Sequence, residues 1–313
     1  MTATPTTRAA TTAASAAARA AAVRRRRAPA RRRKTIQRAL VIAVLIAGGI
    51  LMMVPFLWMV STSLKTRAEV FAVPPTLLPR DPQWQNYPDM WASLPFGSFF
   101  FNSLKLSLLN TIGALVSCSM AAYAFAVLRF RFREPLFALL LVTLIIPFQV
   151  VLVPNFVLYR LLPHPFSTSG NWIGTQEPLW VGAFLGGAFG TFLLRQFFLS
   201  IPRELADAAR VDGANPWHIY RHIYLPLAKP ALATLAIFTF MWTWNDLIDP
   251  IIYLRDVSSF TLTAGLSLFQ GQYVGKWPLL MAGALVSVLP MIVLFILAQR
   301  HFVRGIAMSG IKG

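Results

Sequence analysis

From Ala39 to Val60 the chain carries no charged residue, and apolar runs of similar length recur towards its end. A helix of about 20 residues crosses a hydrocarbon core. Hydrocarbon offers the backbone no hydrogen-bond partner, so a spanning segment satisfies its own groups as a helix or joins a closed barrel. Barrel strands read as short alternating segments; these runs are long and uniform. The fold class expected is an all-α polytopic membrane protein. Its six transmembrane helices fall at about 39–60, 104–127, 136–159, 179–198, 231–254 and 279–299, each bounded by charge or proline. Only 13% of residues are charged, about half the usual share of a soluble domain. The lone cysteine, Cys118, lies in an apolar run and implies neither a disulfide nor a metal site.

A formal charge of +18 invites a nucleic-acid reading, but its distribution argues for a membrane. Arg8, Arg19, Arg24 to Arg27, Arg31 to Arg33, Lys34 and Arg38 all precede the first apolar run, with no acid among them. Residues 1–37 are a low-complexity Ala/Thr/Arg segment, expected to be a disordered cytoplasmic tail that leans on anionic membrane lipid. An Arg-rich transit peptide shares this composition. A cleavable secretory signal does not fit, because the apolar run behind the arginines is too long. With the N-terminus inside, most of the 29 basic residues fall in cytoplasmic segments. The outer side carries as many acids as bases. The positive-inside rule therefore puts both termini in the cytoplasm. The outer loop at 61–103, rich in Pro, Trp and Phe, suits an interfacial anchor and equally a docking surface for an external partner.

One stretch between the fourth and fifth runs is neither membrane-like nor loop-like: "ELADAARVDGANPWHIYRHIYLPL", Glu204 to Leu227. Pro202 and Glu204 stand where a helix begins. Leu205, Ala208, Ala209 and Val211 form a short apolar stripe. Asp212-Gly213 stops that helix, and Asn215-Pro216 starts another. Leu225-Pro226 and Lys229-Pro230 are expected to bend the chain into the fifth span. The object predicted is a knob of two short helices at the cytoplasmic face, spanning the loop 199–230.

The spacing has a known counterpart. Asp207-Ala208-Ala209, three residues, Gly213, nine residues, Ile223, one residue, Leu225-Pro226 resembles the EAA signature of binding-protein-dependent ABC importer permeases. Asp207 stands where glutamate is usual. The stretches "SLKTRAEVFAVPPTLLP", "FFFNSLKLSLLNT", "TFLLRQFFLSIP", "WTWNDLIDPIIYL" and "RHFVRGIAMSGIKG" are similar to the carbohydrate branch, of maltose type. The resemblance covers about residues 35–313. It implies the MetI-like type I importer fold in a bacterial plasma membrane, and a permease domain over 38–313. The implied partners are a second permease subunit in a heterodimer, two cytoplasmic ATPase subunits and an extracytoplasmic solute-binding protein. ATP and Mg would be used by the ATPases, with no cofactor bound here. The cargo implied is a sugar or oligosaccharide. The same fold also imports glycerol phosphate, polyamines or amino acids. Asp207, Ala208, Ala209, Gly213, Ile223, Leu225 and Pro226 would carry the coupling to the ATPases.

The chain itself shows no enzyme's equipment. "GQYVGKW" at 271–277 lacks P-loop spacing and the Ser/Thr after lysine. His164, His218, His222 and His301 are scattered; His218 and His222, four apart on the knob, fit solvated or packing roles first and a metal pair second. Internal repeats and charged pairs, which would mark a secondary transporter, are not evident. Polar residues within spans mark candidate path positions. Trp242, Trp244, Asn245 and Asp246 combine rings with hydrogen-bonding groups, as sugar recognition requires, though helix capping and an interfacial aromatic belt use the same residues. Gln149, between Pro147 and Pro154, can line a cavity or satisfy carbonyls freed by a kink. Asn155 and Asn110 are open to the same two readings.

Overall fold

The computed structural model describes residues 37–165, 167, 169–271 and 276–309. The tail ahead of Gln37, residues 272–275 of the GQYVGKW stretch and residues 310–313 lie outside the described residues, as does the side chain of His301. The regular structure described is helical, apart from one isolated bridge between Pro163 and Asn171. The chain divides into two units, residues 1–59 and residues 60–313.

The first helix, α1 (Gln37–Ser63), is as apolar as the span Trp277–Leu297 and begins in the first unit. In the second unit α2 (Phe96–Val127) starts eight residues ahead of its expected span, because Phe96 and Phe99 are buried and extend the packed face. The third expected span is delivered as two helices, α3 (Arg133–Val142) and α4 (Phe148–Leu161). The break has a local cause. Pro147 lacks an N–H and pushes Ile146 out of helical geometry, while the Thr143 hydroxyl turns back to the Leu140 carbonyl at 2.6 Å. Pro154, by contrast, stays inside α4. In the fourth span, Gly186 with φ +101° separates a single turn, Val181–Phe184, from α5 (Ala188–Leu199).

Two short helices follow, α6 (Arg203–Val211) and α7 (Pro216–Leu227), and α8 (Lys229–Asn245) leaves α7 at 78°. The fifth span stops at Asn245, earlier than expected. Asp246 Oδ1 accepts from the Ile248 and Asp249 amides at 3.1 and 3.4 Å, which starts the separate α9 (Ile248–Tyr253) instead. α10 (Leu262–Gly271) and α11 (Trp277–Ser309) complete the order. Helices α1, α2 and α11 and the 181–199 segment are each long and apolar enough to cross a membrane, and α7 with α8 forms a bent fifth candidate.

Two hydrophobic cores hold the second unit together. One gathers Met90, Phe96, Phe99, Phe240, Trp244, Leu262, Phe269 and Ala282. The other gathers Cys118, Ala122, Tyr123, Leu194, Phe198, Ala206, Ile219, Tyr220, Tyr224 and Leu235. Helices α2 and α8 run through both. Small residues bring them close, as expected where lipid supplies no hydrophobic drive between helices. A methyl at Gly190 of α5 would lie 2.8 Å from Cys118 Sγ on α2 and 3.0 Å from a Leu235 methyl on α8. The tightest approach among the described glycines is Gly265 of α10, where a Cβ would sit 2.2 Å from the ring of the buried Phe99. Gly265→Ala is therefore expected to cost about 1–3 kcal/mol and to lower the thermal midpoint of the purified protein. Gly182→Ala, which meets open space, should leave the midpoint unchanged.

Candidate functional site

The knob between α5 and α8 is built locally as its residues dictate. Pro202 stands just ahead of α6 rather than inside it, and Glu204 lies in the first turn, where a carboxylate favours the helix dipole. The end of α6 is a double hydrogen-bonded cap. The Gly213 amide donates to the Arg210 carbonyl at 3.0 Å and the Ala214 amide to the Ala209 carbonyl at 2.9 Å. Gly213 takes φ +82°, which a side chain would strain. Asn215 Oδ1 then accepts from the His218 amide at 2.7 Å, with Pro216 in the first turn of α7.

The Leu225-Pro226 pair does not bend the chain as expected. The turn Tyr220–Tyr224 is widened to π geometry, and the Leu225 amide reaches back to the Tyr220 carbonyl. A widened turn ahead of Pro226 relieves the clash its ring would make with the previous turn. The bend falls at Ala228 instead, with Pro230 harmless in the first turn of α8.

The apolar stripe of α6 is divided between an inward and an outward face. Ala206 is the residue it buries, with Ala209 half-buried beside it against the same core. Leu205, Ala208 and Val211 point outward, and Val211 is 88% exposed. Trp217 of α7 is also exposed. The knob thus presents apolar side chains to its surroundings while a narrow alanine seam seats it. Asp207 ion-pairs with Arg210 on its own helix at 2.5 Å, both side chains exposed. Such a pair contributes about 0–1 kcal/mol. Ile223 and Leu225 are half-buried against the seat, and Pro226 is exposed.

What anchors the knob is a tyrosine cluster. Tyr220 Oη lies 2.7 Å from Ser119 Oγ of α2, both buried. The Ser119 hydroxyl already donates to the Leu115 carbonyl at 2.5 Å, so Tyr220 is the donor to it. Tyr123 of α2 donates to the Pro216 carbonyl at 3.0 Å, a group the first turn of a helix would otherwise engage alone. Tyr123 packs on both Tyr220 and Tyr224 at 5.3 Å, and Tyr224 meets Phe198 of α5 edge-on at 5.4 Å. Sequence reading passed over Ser119, Tyr123 and Tyr220. The available signal was three tyrosines and a serine near two span ends, too common a pattern to single out.

The path candidates separate into two groups. Trp244 belongs to the core: it is 2% exposed, stacks on Phe240 at 5.6 Å and donates its indole N–H to the Ser287 carbonyl. Asn110 is a clamp, with its side-chain amide donating to the Leu106 and Leu179 carbonyls at 3.0 and 2.9 Å. These two positions are spent on packing because a buried polar group in apolar surroundings must find a partner. Trp242, Asn245 and Asp246 instead line one concavity of about 710 Å³, together with Phe189, Phe238 and Met241. Asn245 also caps its own helix through the Met241 carbonyl at 2.7 Å. Gln149 and Asn155 lie exposed on α4, away from that lining. No group of three or more metal-ligating side chains occurs among the described residues.

Residues 113–308, more than half of the chain, match the family described as "Binding-protein-dependent transport system inner membrane component". The sn-glycerol-3-phosphate transport system permease protein UgpE of Pectobacterium atrosepticum is 34% identical over 275 residues, covering 85% of this chain and 94% of the relative. Its counterpart in Yersinia enterocolitica is 34% identical over 274 residues, with the same coverage. A bacterial ABC transporter involved in import of the acidic polysaccharide alginate contains a chain of similar fold. Its TM-score is 0.71 at 23% identity, over 84% of this chain and 96% of that one.

Removing one hydroxyl tests the anchor. Tyr220→Phe deletes the hydrogen bond to Ser119 but keeps the ring contacts, a loss of about 1 kcal/mol. Amide hydrogen exchange across 203–227 is expected to quicken about fivefold, with exchange in α10 unchanged.

Proposed function

The chain belongs to the family of binding-protein-dependent transport system inner membrane components, and on that premise we propose how it works. It is one of two permease subunits of an ATP-driven importer, with both termini in the cytoplasm, as its distribution of basic residues supports. Two ATPase subunits bring ATP and Mg, and this chain binds neither. An extracytoplasmic binding protein delivers cargo to the outer side.

The observation that carries the reading is the build of the knob. A short helix, closed by two hydrogen bonds at its C-terminus and with Leu205, Ala208 and Val211 exposed, is an apolar plug suited to a groove on the ATPase. Asp207 is held by Arg210, so its carboxylate meets a partner only by giving up or sharing that pair. Closure of the ATPases on nucleotide moves the plug, and the tyrosine anchor passes the displacement to α2 and α5. The bundle then exchanges an inward-open for an outward-open arrangement, a two-state element biased by a ligand.

A carbohydrate is the cargo best supported by the concavity at the end of α8. Trp242 and Phe189 offer ring faces, and Asn245 and Asp246 offer hydroxyl partners. The lining contains a carboxylate and no cation, which suits a neutral sugar better than a phosphate ester. Glycerol phosphate is the second reading, favoured by the names of the relatives at 34% identity. Calorimetry on the cognate binding protein separates them. A neutral sugar or oligosaccharide is expected to bind and sn-glycerol 3-phosphate to fail; the reverse result selects the second reading. For coupling, Gly213→Val is expected to abolish uptake in cells while the chain still inserts, because φ +82° is closed to a β-branched residue. Wild-type uptake by that variant would remove the knob from the mechanism.

A further inference from the structure

We propose that the cavity beside the knob is a binding site for the headgroup of an anionic phospholipid. It has a volume of about 510 Å³ and lies between the α2–α3 turn and the flank of α6. Charge is the first argument. Four arginines and two acids line it. Asp207 is paired with Arg210, and Glu134 with Arg133 at 2.8 Å and with Arg195 at 3.3 Å. Arg129 and Arg203 make no ion pair among the described residues. Two uncompensated guanidinium groups in one lining, Arg129 on the α2–α3 turn and Arg203 on α6, suit a phosphodiester, which takes paired N–H donors.

Position is the second argument. Apolar helices end or begin around the cavity: α2 at Val127, α3 at Arg133 and α5 at Leu199. That is the level of the headgroups. Phe130, Phe132, Phe198 and Leu199 complete the lining, so the guanidinium groups sit beside apolar surface that an acyl chain can follow. The turn is shaped for this. In an extended run Arg129 and Phe130 would face opposite ways. Phe132 instead takes φ +64°, a conformation uncommon for a bulky residue. The turn brings Arg129, Phe130, Phe132 and Arg133 to one cavity. Arg131 is left outside the lining, its guanidinium 4.8 Å over the Phe132 ring. A basic pocket at the ends of membrane helices is a recurrent form of lipid headgroup site.

The inference needs only that the chain spans a membrane. Failure of the cargo or coupling reading leaves it standing, and its own failure leaves them standing. The test uses the whole complex, permeases with ATPases, stripped of lipid in detergent. Short-chain phosphatidylglycerol, short-chain phosphatidylcholine and inorganic phosphate are titrated, and bound lipid is read by native mass spectrometry. Phosphatidylglycerol is expected to bind and phosphatidylcholine not to. Arg129→Gln and Arg203→Gln should each weaken binding about fivefold. Arg131→Gln removes the same charge from the same turn and should change nothing. Equal weakening by Arg131→Gln would reduce the site to diffuse surface charge and overturn the proposal. Displacement by inorganic phosphate alone would assign the cavity to a soluble anion. Binding seen only after the ATPases are removed would assign it to the ATPase interface.

Discussion

The hydroxyl of Tyr220 on Ser119 and the hydroxyl of Tyr123 on the Pro216 carbonyl join the knob to α2. Ala206, Ile219 and Tyr224 seat the knob on the same apolar core, and these two bonds fix its orientation there. The bend of 78° at Ala228 means that α8 does not continue the axis of α7 and cannot carry a push along it. The knob's side-chain contacts run sideways, from α7 through the tyrosines to α2 and through Tyr224 to Phe198 of α5. A buried hydroxyl pair has a directional optimum that a purely apolar contact lacks. The knob is thereby held in one orientation, as the proposed coupling role requires.

The same economy of polar groups explains the rest of the bundle. In apolar surroundings a side-chain amide or hydroxyl gains by clamping a backbone group or by facing an opening. Asn110 and Asn102 clamp, the latter on the Ser258 and Phe260 carbonyls at 2.9 and 3.0 Å. Trp244 clamps through its indole. Trp242, two residues away, is turned by about 200° on a helix of 3.6 residues per turn and is 80% exposed. One aromatic is core and its near neighbour is wall, although both belong to the same short motif.

Much of the knob could be read in the residues. Asp212-Gly213 and Asn215-Pro216 punctuate the chain through local geometry, and local geometry survives in any tertiary context. What could not be read was which face of α6 turns inward. Leu205 and Val211 are the larger apolar residues, and burial by side-chain size alone would hide them. The seat instead takes Ala206 and Ala209. Pro147 and Pro154 look alike in sequence, yet one breaks the third span and the other is absorbed in α4. Thr143 adds its bond to Leu140 ahead of Pro147, so two local effects coincide there.

The sequence by itself determined the class of solvent, the approximate places of the apolar segments, the caps of the knob and the spacing that resembles an importer permease. These depend on hydropathy and on backbone preferences within a few residues. Only the tertiary structure decided that Asp207 pairs with Arg210, that Tyr220 meets Ser119 across 101 positions of chain, and that Arg129 and Arg203 share a cavity. Such contacts depend on how helices distant in sequence pack. Packing is set by the fit of whole faces, and no single residue carries it.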